Sequence, residues 1–196
     1  MGRVYYEEVM IIAITGPLGA GKGTVAEYLR SEHHYLYISV RSLFAEEVLK
    51  RGQAATRENV AAVARALRAE QGPTYAVEQL LARTGRGGHG IVIESIRTVA
   101  EAEYLKSKGA ALWYVTADLE VRYKRFTGKA LPQDAMTPEQ FAESDKADMD
   151  TSDPANQDLP AVWQMAQAAI DNNGTKEELK AQIEEALKKS WSAPAK

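Results

Sequence analysis

Apolar positions along the chain switch between continuous short runs and a spacing of three and four. Residues 9–15 (VMIIAIT) form an unbroken apolar run that stops at a glycine loop, the pattern of a strand buried on both faces. From Lys22 to about Arg30, Val25, Ala26 and Leu29 recur at helical spacing. Residues 35–39 predict a second strand, and residues 42–52 a helix with Gly52 as its stop. Thr56 and Asn59 then lead into an alanine-rich amphipathic run ending at Gly72 and Pro73, and a further helix extends to about Arg83. Residues 85–90 (GRGGHG) read as a turn, 91–95 as a third strand and 99–109 as a helix with a glycine stop. A fourth strand is predicted over 110–117, followed by a helix over 118–126 that opens on an N-capping aspartate, Asp118. Residues 168–170 are a weakly marked fifth strand. A closing helix over 175–189 begins with the capping-box pair Thr175 and Glu178.

Strands alternating with helices imply a parallel sheet covered on both faces. Residues 127–159 break the rhythm. This stretch is polar, contains Pro132, Pro138 and Pro154, and between residues 130 and 160 carries eight acids against one lysine, Lys146. One short helix, 138–146, is predicted inside it, and an insertion of this length reads as a functional element such as a lid. The organisation expected is a domain over 9–190, with helices in 40–86 and an insertion at 127–159. An extension (1–8) and a tail (191–196) flank it.

Composition narrows the function classes. A chain of 196 residues with 45% hydrophobic content holds one domain of ordinary size. A net charge of −3 carries no general nucleic-acid footprint. Cysteine is absent, which removes disulfides and thiolate metal sites and fits a cytoplasmic location. No run approaches the ~20 apolar residues of a membrane span. The first eight residues lack a signal-peptide core, and Tyr6 stands where a myristoylation motif has Ser or Thr.

The chemistry is concentrated in AITGPLGAGKGTVAEYL, residues 13–29. Gly16, Gly21 and Lys22 fit G-x-x-x-x-G-K between a strand and a helix. Glycines allow backbone N–H groups to turn inward and approach a phosphate closely, and the following helix N-terminus favours an anion. Gly16, Gly19, Ala20, Gly21, Lys22, Gly23 and Thr24 are therefore the candidate ATP-binding loop, with Lys22 reaching the β- and γ-phosphates. The common pattern has Ser or Thr directly after the lysine as a Mg²⁺ ligand. Here Gly23 holds that position and Thr24 comes one residue later.

The G-K-G-T ending resembles the loop of the adenylate-kinase-like nucleoside monophosphate kinases. YISVRSLFAEEV stands where those kinases have a strand and an acceptor-binding helix. IVIESIRT resembles their third strand with its acid and arginine, VRYKRFTGK the helix entering their lid, and AIDNNGT their adenine-contacting loop. A closer likeness is to adenylate-kinase-related and dephospho-coenzyme-A-kinase-like proteins, which have near counterparts of RENVAAVARALRAEQGP, ESIRTVAEAEYL and DNNGTKEEL. The resemblance covers about residues 11–187. It implies a three-layer α/β/α P-loop NTPase fold with five parallel strands in the order 2-3-1-4-5 and a short lid insertion.

The resemblance also implies residue roles. Glu94, at the end of the third strand, would hold Mg²⁺ through water together with Thr24. Arg97 would bind the acceptor phosphate and Arg125 would contact ATP, with Asn173, Gly174 and Thr175 beside the adenine. Lys129 replaces a second ATP-contacting arginine of the family, and the lid offers no arginine beyond Arg125.

On the acceptor side, Arg41 follows the second strand, and a guanidinium fork suits phosphate. Arg65 and Arg68 share a helical face that is either solvated or turned into the acceptor site. No acid lies between Ser39 and Ala45, where dephospho-coenzyme-A kinases have an aspartate. A hydroxyl acceptor needs a base, whereas a phosphate acceptor is already an anionic nucleophile. The first expectation is thus γ-phosphoryl transfer from MgATP to a nucleoside or deoxynucleoside monophosphate. A dephospho-coenzyme-A kinase and an ATP-binding regulator or assembly factor with slow ATPase activity stay open. The partner expected is a small-molecule nucleotide, not nucleic acid or membrane. The adjacent His33 and His34 point in different directions and do not read as a metal site. Trp113, Trp163 and Trp191 read as packing residues, Trp163 the least clearly.

Overall fold

A computed structural model of the chain describes residues 9–84, 89–129, 134–149 and 157–192, with backbone only for 191–192. The expected extension (1–8), most of the turn at 85–90, Pro132, Pro154, the Trp191 side chain and most of the tail lie outside the described residues.

Five strands, β1 (Met10–Thr15), β2 (Leu36–Ser39), β3 (Gly90–Glu94), β4 (Ala111–Thr116) and β5 (Ala168–Asp171), form one sheet in the order β2-β3-β1-β4-β5, and every pairing is parallel. The central strand β1 sets Ile12 against Val92 on one side and Ala111 on the other. Parallel neighbours need crossovers, and helices supply them on both faces. Alternate residues of the strands therefore enter two separate cores. Ile12, Ile14, Val92, Trp113 and Ile170 pack with α1 (Lys22–His33) and α9 (Lys176–Ser192). Ala13, Ile91, Ile93 and Leu112 pack on the opposite face. There they meet α2 (Val40–Lys50), α3 (Arg57–Gln71), α4 (Tyr75–Arg83), α5 (Val99–Ser107) and a short α8 (Leu159–Gln164). Between α5 and α8 lie α6 (Leu119–Thr127) and α7 (Pro138–Asp148).

Three sequence expectations change. Helix α2 starts at Val40 because Ser39 caps it, its hydroxyl accepting from Ser42 N, so Arg41 lies in the first helical turn. Asp118 precedes α6 but its side chain makes no cap bond. It accepts instead from Asn173 Nδ2, tying the β4–α6 corner to the loop after β5. Helix α8 was not expected; Asp158 caps it by accepting from Ala161 N, with Pro160 in its first turn. Among the described residues no helix is long and apolar enough to cross a membrane.

Candidate nucleotide-binding site

The loop from Gly16 to Gly21 turns at the carboxyl edge of β1, the side of a parallel sheet on which ligands sit. Gly16, Gly19 and Gly21 all have positive φ. Neighbours press on each: a Cβ at Gly16 would lie 2.0 Å from Val115 O, one at Gly19 2.4 Å from Arg122 O, and one at Gly21 2.1 Å from Asn172 Nδ2. Any side chain there would push the loop off its supports. Lys22 opens α1 and is buried, its Nζ donating to Gly16 O at 2.9 Å and Pro17 O at 2.8 Å. Its pKa falls from 10.5 to about 8, first through burial and then through the Arg97 charge, with Glu94 and Asp148 opposing the shift.

A cavity of about 710 Å³ runs from this loop along the sheet edge. Its donor half is bounded by the loop, Arg125, Phe126, Lys129 and residues 174–176. Arg125 donates to Asn172 O at 2.8 Å, and its Nη1 is buried without a partner among the described residues. Asn172 in turn donates to Ala20 O, so the end of β5, the loop and Arg125 are fixed to one another. Asn173 does not line the cavity. It braces the corner through Asp118 and Asp171, leaving Gly174 and Thr175 as the wall. The Thr175–Glu178 capping box forms as expected. Gly16 and Ala20 stand behind the wall as loop supports.

The acceptor half contains Arg41, Arg57, Arg68, Arg97, Glu94 and an apolar side of Val40, Phe44, Val60, Ala61 and Ala64. Arg57 Nη2 and Arg97 Nη1 both donate to Asp148 Oδ2, at 2.9 and 3.3 Å, and Arg97 Nη1 also donates to Gln157 Oε1. Arg57 Nη1 is buried and unpartnered among the described residues. Burial pulls the Arg57 pKa down, Asp148 raises it, and Arg97 and Arg41 lower it further. Arg65 and Arg68 separate. Arg65 is exposed and away from the cavity, whereas Arg68 lies over the Phe44 ring and donates through Nε and Nη2 to Glu101. Three positions along an α-helix is about 300°, enough to put one side chain inside the rim and the other outside. Glu101 is fully buried, and its other oxygen accepts from Arg97 N and Thr98 N, so Arg68 braces the Arg97 loop.

The described part of the insertion, residues 134–149, is docked on the domain. Phe141 of α7 packs on Tyr123 and Phe126 of α6. Asp145 accepts both Nη groups of Arg122 at 2.6 and 2.8 Å, and Asp134 accepts from Arg57 N. Of its two lysines, Lys129 reaches the cavity and Lys146 is exposed.

Arg57, Asp148, Asp134, Gln157 and Tyr37 were missed from sequence. Arg57 had a readable signal. It stands directly after the cap Thr56, in the first turn of α3, where a cation opposes the helix macrodipole. Arg41 in the first turn of α2 is the same case.

Mg²⁺ is a hard cation that keeps several waters and takes one or two protein oxygens beside the phosphates. Thr24 and Glu94 both line the cavity next to Lys22, and that donor set fits. Glu94 is held on both oxygens: Ser95 Oγ donates to Oε1 at 2.7 Å and Tyr37 Oη to Oε2 at 3.3 Å. Burial, then Glu94 itself, pushes the Tyr37 phenol above its ordinary pKa. Among the described residues no three His, Cys, Asp or Glu side chains gather into a metal cage, and Mg²⁺ needs none.

Residues 12–150 match the family described as an AAA domain. A UPF0200 protein of Pyrobaculum aerophilum is 30% identical over 135 residues, 68% of this chain and 74% of that protein. A UPF0200 protein of Thermococcus kodakarensis is 28% identical over 182 residues, 89% and 94% of the two chains. Shikimate kinase from Bacteroides thetaiotaomicron superposes with a TM-score of 0.60 at 12% identity, covering 94% of this chain and 99% of that one. A gluconokinase from Sinorhizobium meliloti gives 0.52 at 14% identity, covering 94% of both chains. The chain thus has the P-loop kinase-like fold.

Proposed function

We propose that this chain, which belongs to the UPF0200 family and carries an AAA domain, is a kinase that transfers the γ-phosphoryl group of ATP to the phosphate of a nucleoside or deoxynucleoside monophosphate. The observation that carries this reading is the convergence of Arg41, Arg57 and Arg97 in the acceptor half of the cavity. Two of these cations sit at the positive ends of helices, and one nitrogen of Arg57 is buried without a partner. Asp148 supplies one negative charge to Arg57 and Arg97, and an acceptor phosphate would supply further charge to the three cations. Arg97 is also close enough to Lys22 to depress its pKa, so an anion seated on Arg97 lies beside the end of a triphosphate held by the loop. Kinases among the fold neighbours support phosphoryl transfer as the reaction class.

In the proposed reaction an oxygen of the acceptor phosphate attacks the γ-phosphorus in line. The bond from that phosphorus to the β–γ bridging oxygen breaks, and ADP leaves with the electron pair. The nucleophile is already anionic, so no side chain has to take a proton. Lys22 and the loop amides hold the β- and γ-phosphates, and Arg125 neutralises charge on the transferred group. Arg41, Arg57 and Arg97 align the acceptor, while the docked insertion excludes water. Mg²⁺ would supply neutralisation of phosphate charge. Thr24, and Glu94 through water, would hold it.

A second reading has an observation in its favour. Asp134 and Asp148 line the acceptor half, so the insertion supplies carboxylates that are missing between Ser39 and Ala45. Either could serve as base for a hydroxyl acceptor such as the ribose of dephospho-coenzyme A. ADP formation measured with every ribo- and deoxyribonucleoside monophosphate and with dephospho-coenzyme A separates the two. The expected result is stimulation by one or a few monophosphates. Arg57→Ala should raise the KM for that acceptor about tenfold or more, the cost of one charge-assisted contact. It should leave ATP affinity unchanged, and Lys22→Ala should abolish turnover. Stimulation by dephospho-coenzyme A alone selects the hydroxyl reading, and stimulation by nothing in the panel leaves a slow ATPase.

A further inference from the structure

The common loop pattern places a hydroxyl directly after its lysine, and this chain has Gly23 there. Gly23 lies inside α1 with no positive φ, so its lack of a side chain is not a demand of the backbone. A Cβ at Gly23 would meet one described atom within 4 Å, Tyr37 Oη at 3.7 Å. Tyr37 comes from another element. It sits on the edge strand β2 opposite Val92, packs against the core on the α1 side and reaches toward the end of the sheet. Its hydroxyl ends at Glu94 Oε2, and Ser95 Oγ takes Oε1. Ser95 does so from a left-handed backbone, φ 71°, and is buried. For a residue with a side chain this conformation is strained, and it persists where the surroundings over-determine it.

We propose that Tyr37 is a positioning residue. Its hydroxyl occupies the space beside Gly23 and, with Ser95, fixes the Glu94 carboxylate at the cavity wall. A phenol from β2 would thereby help order the Mg²⁺ shell that Thr24 and, through water, Glu94 would form. The inference rests on the reading that MgATP binds at this loop.

The test titrates ATP carrying an N-methylanthraniloyl fluorophore onto the full chain, in EDTA and across a Mg²⁺ series, with Tm followed in parallel. For Tyr37→Phe the affinity in EDTA and the Tm stay at wild-type values. The Mg²⁺ concentration for half-maximal tightening rises on the order of tenfold, the usual cost of removing a partner of a metal-binding group. Glu94→Gln gives the same loss, and the double variant is no worse than Glu94→Gln alone, because Tyr37 acts through Glu94. Gly23→Ser added to Tyr37→Phe recovers part of the Mg²⁺ response, since its Oγ enters the vacated space. An unchanged Mg²⁺ requirement in Tyr37→Phe overturns the proposal. Additive losses in the double variant also overturn it. So does a Tyr37→Phe protein that loses Tm or EDTA affinity, for which packing is the role. A wild-type chain that takes up no fluorescent ATP in either condition defeats the ATP-binding reading itself, an outcome distinct from all of these.

Discussion

Lys22 carries its charge in a place that disfavours it. The ammonium is buried, and two carbonyls compensate only in part, so its pKa falls to about 8. A triphosphate tail brings several negative charges within contact distance and must push that pKa back up. The consequence is a proton count. At pH 8.5 a group of pKa about 8 is roughly three-quarters neutral, so ATP binding should take up a large fraction of one proton. At pH 7 the lysine is already charged and uptake should be close to nil. Calorimetric titrations of ATP in two buffers of different ionisation enthalpy, at pH 7 and pH 8.5, measure this directly. Equal uptake at the two pH values would mean that Lys22 does not meet the phosphates. Affinity should also weaken above pH 8, since recharging the lysine then has to be supplied by binding. Arg41 and Arg57 show the same logic with a group that cannot neutralise itself. Arginine keeps its charge, so the opposing helix ends favour an anion there, and Asp148 answers Arg57 with a single carboxylate.

At the scale of elements, α6 backs the phosphate-binding loop, and α7 braces α6. Arg122 sends Nη1 to Leu18 O and Nε to Ala117 O, its own carbonyl backs Gly19, and Asp145 closes the arrangement bidentately. The pair is nearly dry, with 7% of the Arg122 side chain and 15% of Asp145 exposed, so breaking it leaves a buried cation short of a partner. Asp145→Asn should cost about 3 kcal/mol, a fall in Tm of roughly 6–12 °C, and should weaken ATP binding because the loop loses its backing. The exposed Glu143→Gln on the same helix should stay within about 0.5 kcal/mol of wild type by denaturant unfolding. The five strands were readable because each is an apolar run flanked by glycines or caps, and β5 survived as a short run for the same reason. The insertion was not readable. Its composition says solvated loop, and its order comes from partners distant in sequence: Arg122 for Asp145, and Arg57 and Arg97 for Asp148. A local window registers eight acids as charge to be solvated; only the tertiary fold supplies the guanidiniums that pair Asp145 and Asp148 and the Arg57 backbone amide that bonds Asp134. The same blindness separated Arg65 from Arg68, which one period placed together and the rim of the cavity divides.

At the scale of the molecule, the proposed donor and acceptor seats belong to one continuous cavity that both Lys22 and Arg97 line. Helices α2 and α3 close one end, the loop after β5 the other, and the docked insertion spans the acceptor arginines. A ligand that joins both substrates through its phosphates should therefore gain from both ends at once. Linking makes the second contact intramolecular, so a compound with two adenosines on a chain of five phosphates should bind more tightly than ATP or AMP alone if the acceptor is a monophosphate accommodated beside the transferred group. At 100 times its Kd such a ligand stabilises the folded chain by about 2.7 kcal/mol, which for a domain of this size is a rise in Tm of roughly 5–11 °C. ATP at the same concentration, holding only the donor half, should give a smaller rise. The comparison also uses the chain's own variants: Arg57→Ala should remove the advantage of the linked ligand over ATP, since it damages only the acceptor end, whereas Lys22→Ala should reduce both. If the linked compound raises Tm no further than ATP does, the arginines around Asp148 do not receive adenosine monophosphate, and the acceptor is a monophosphate of another base or a hydroxyl compound.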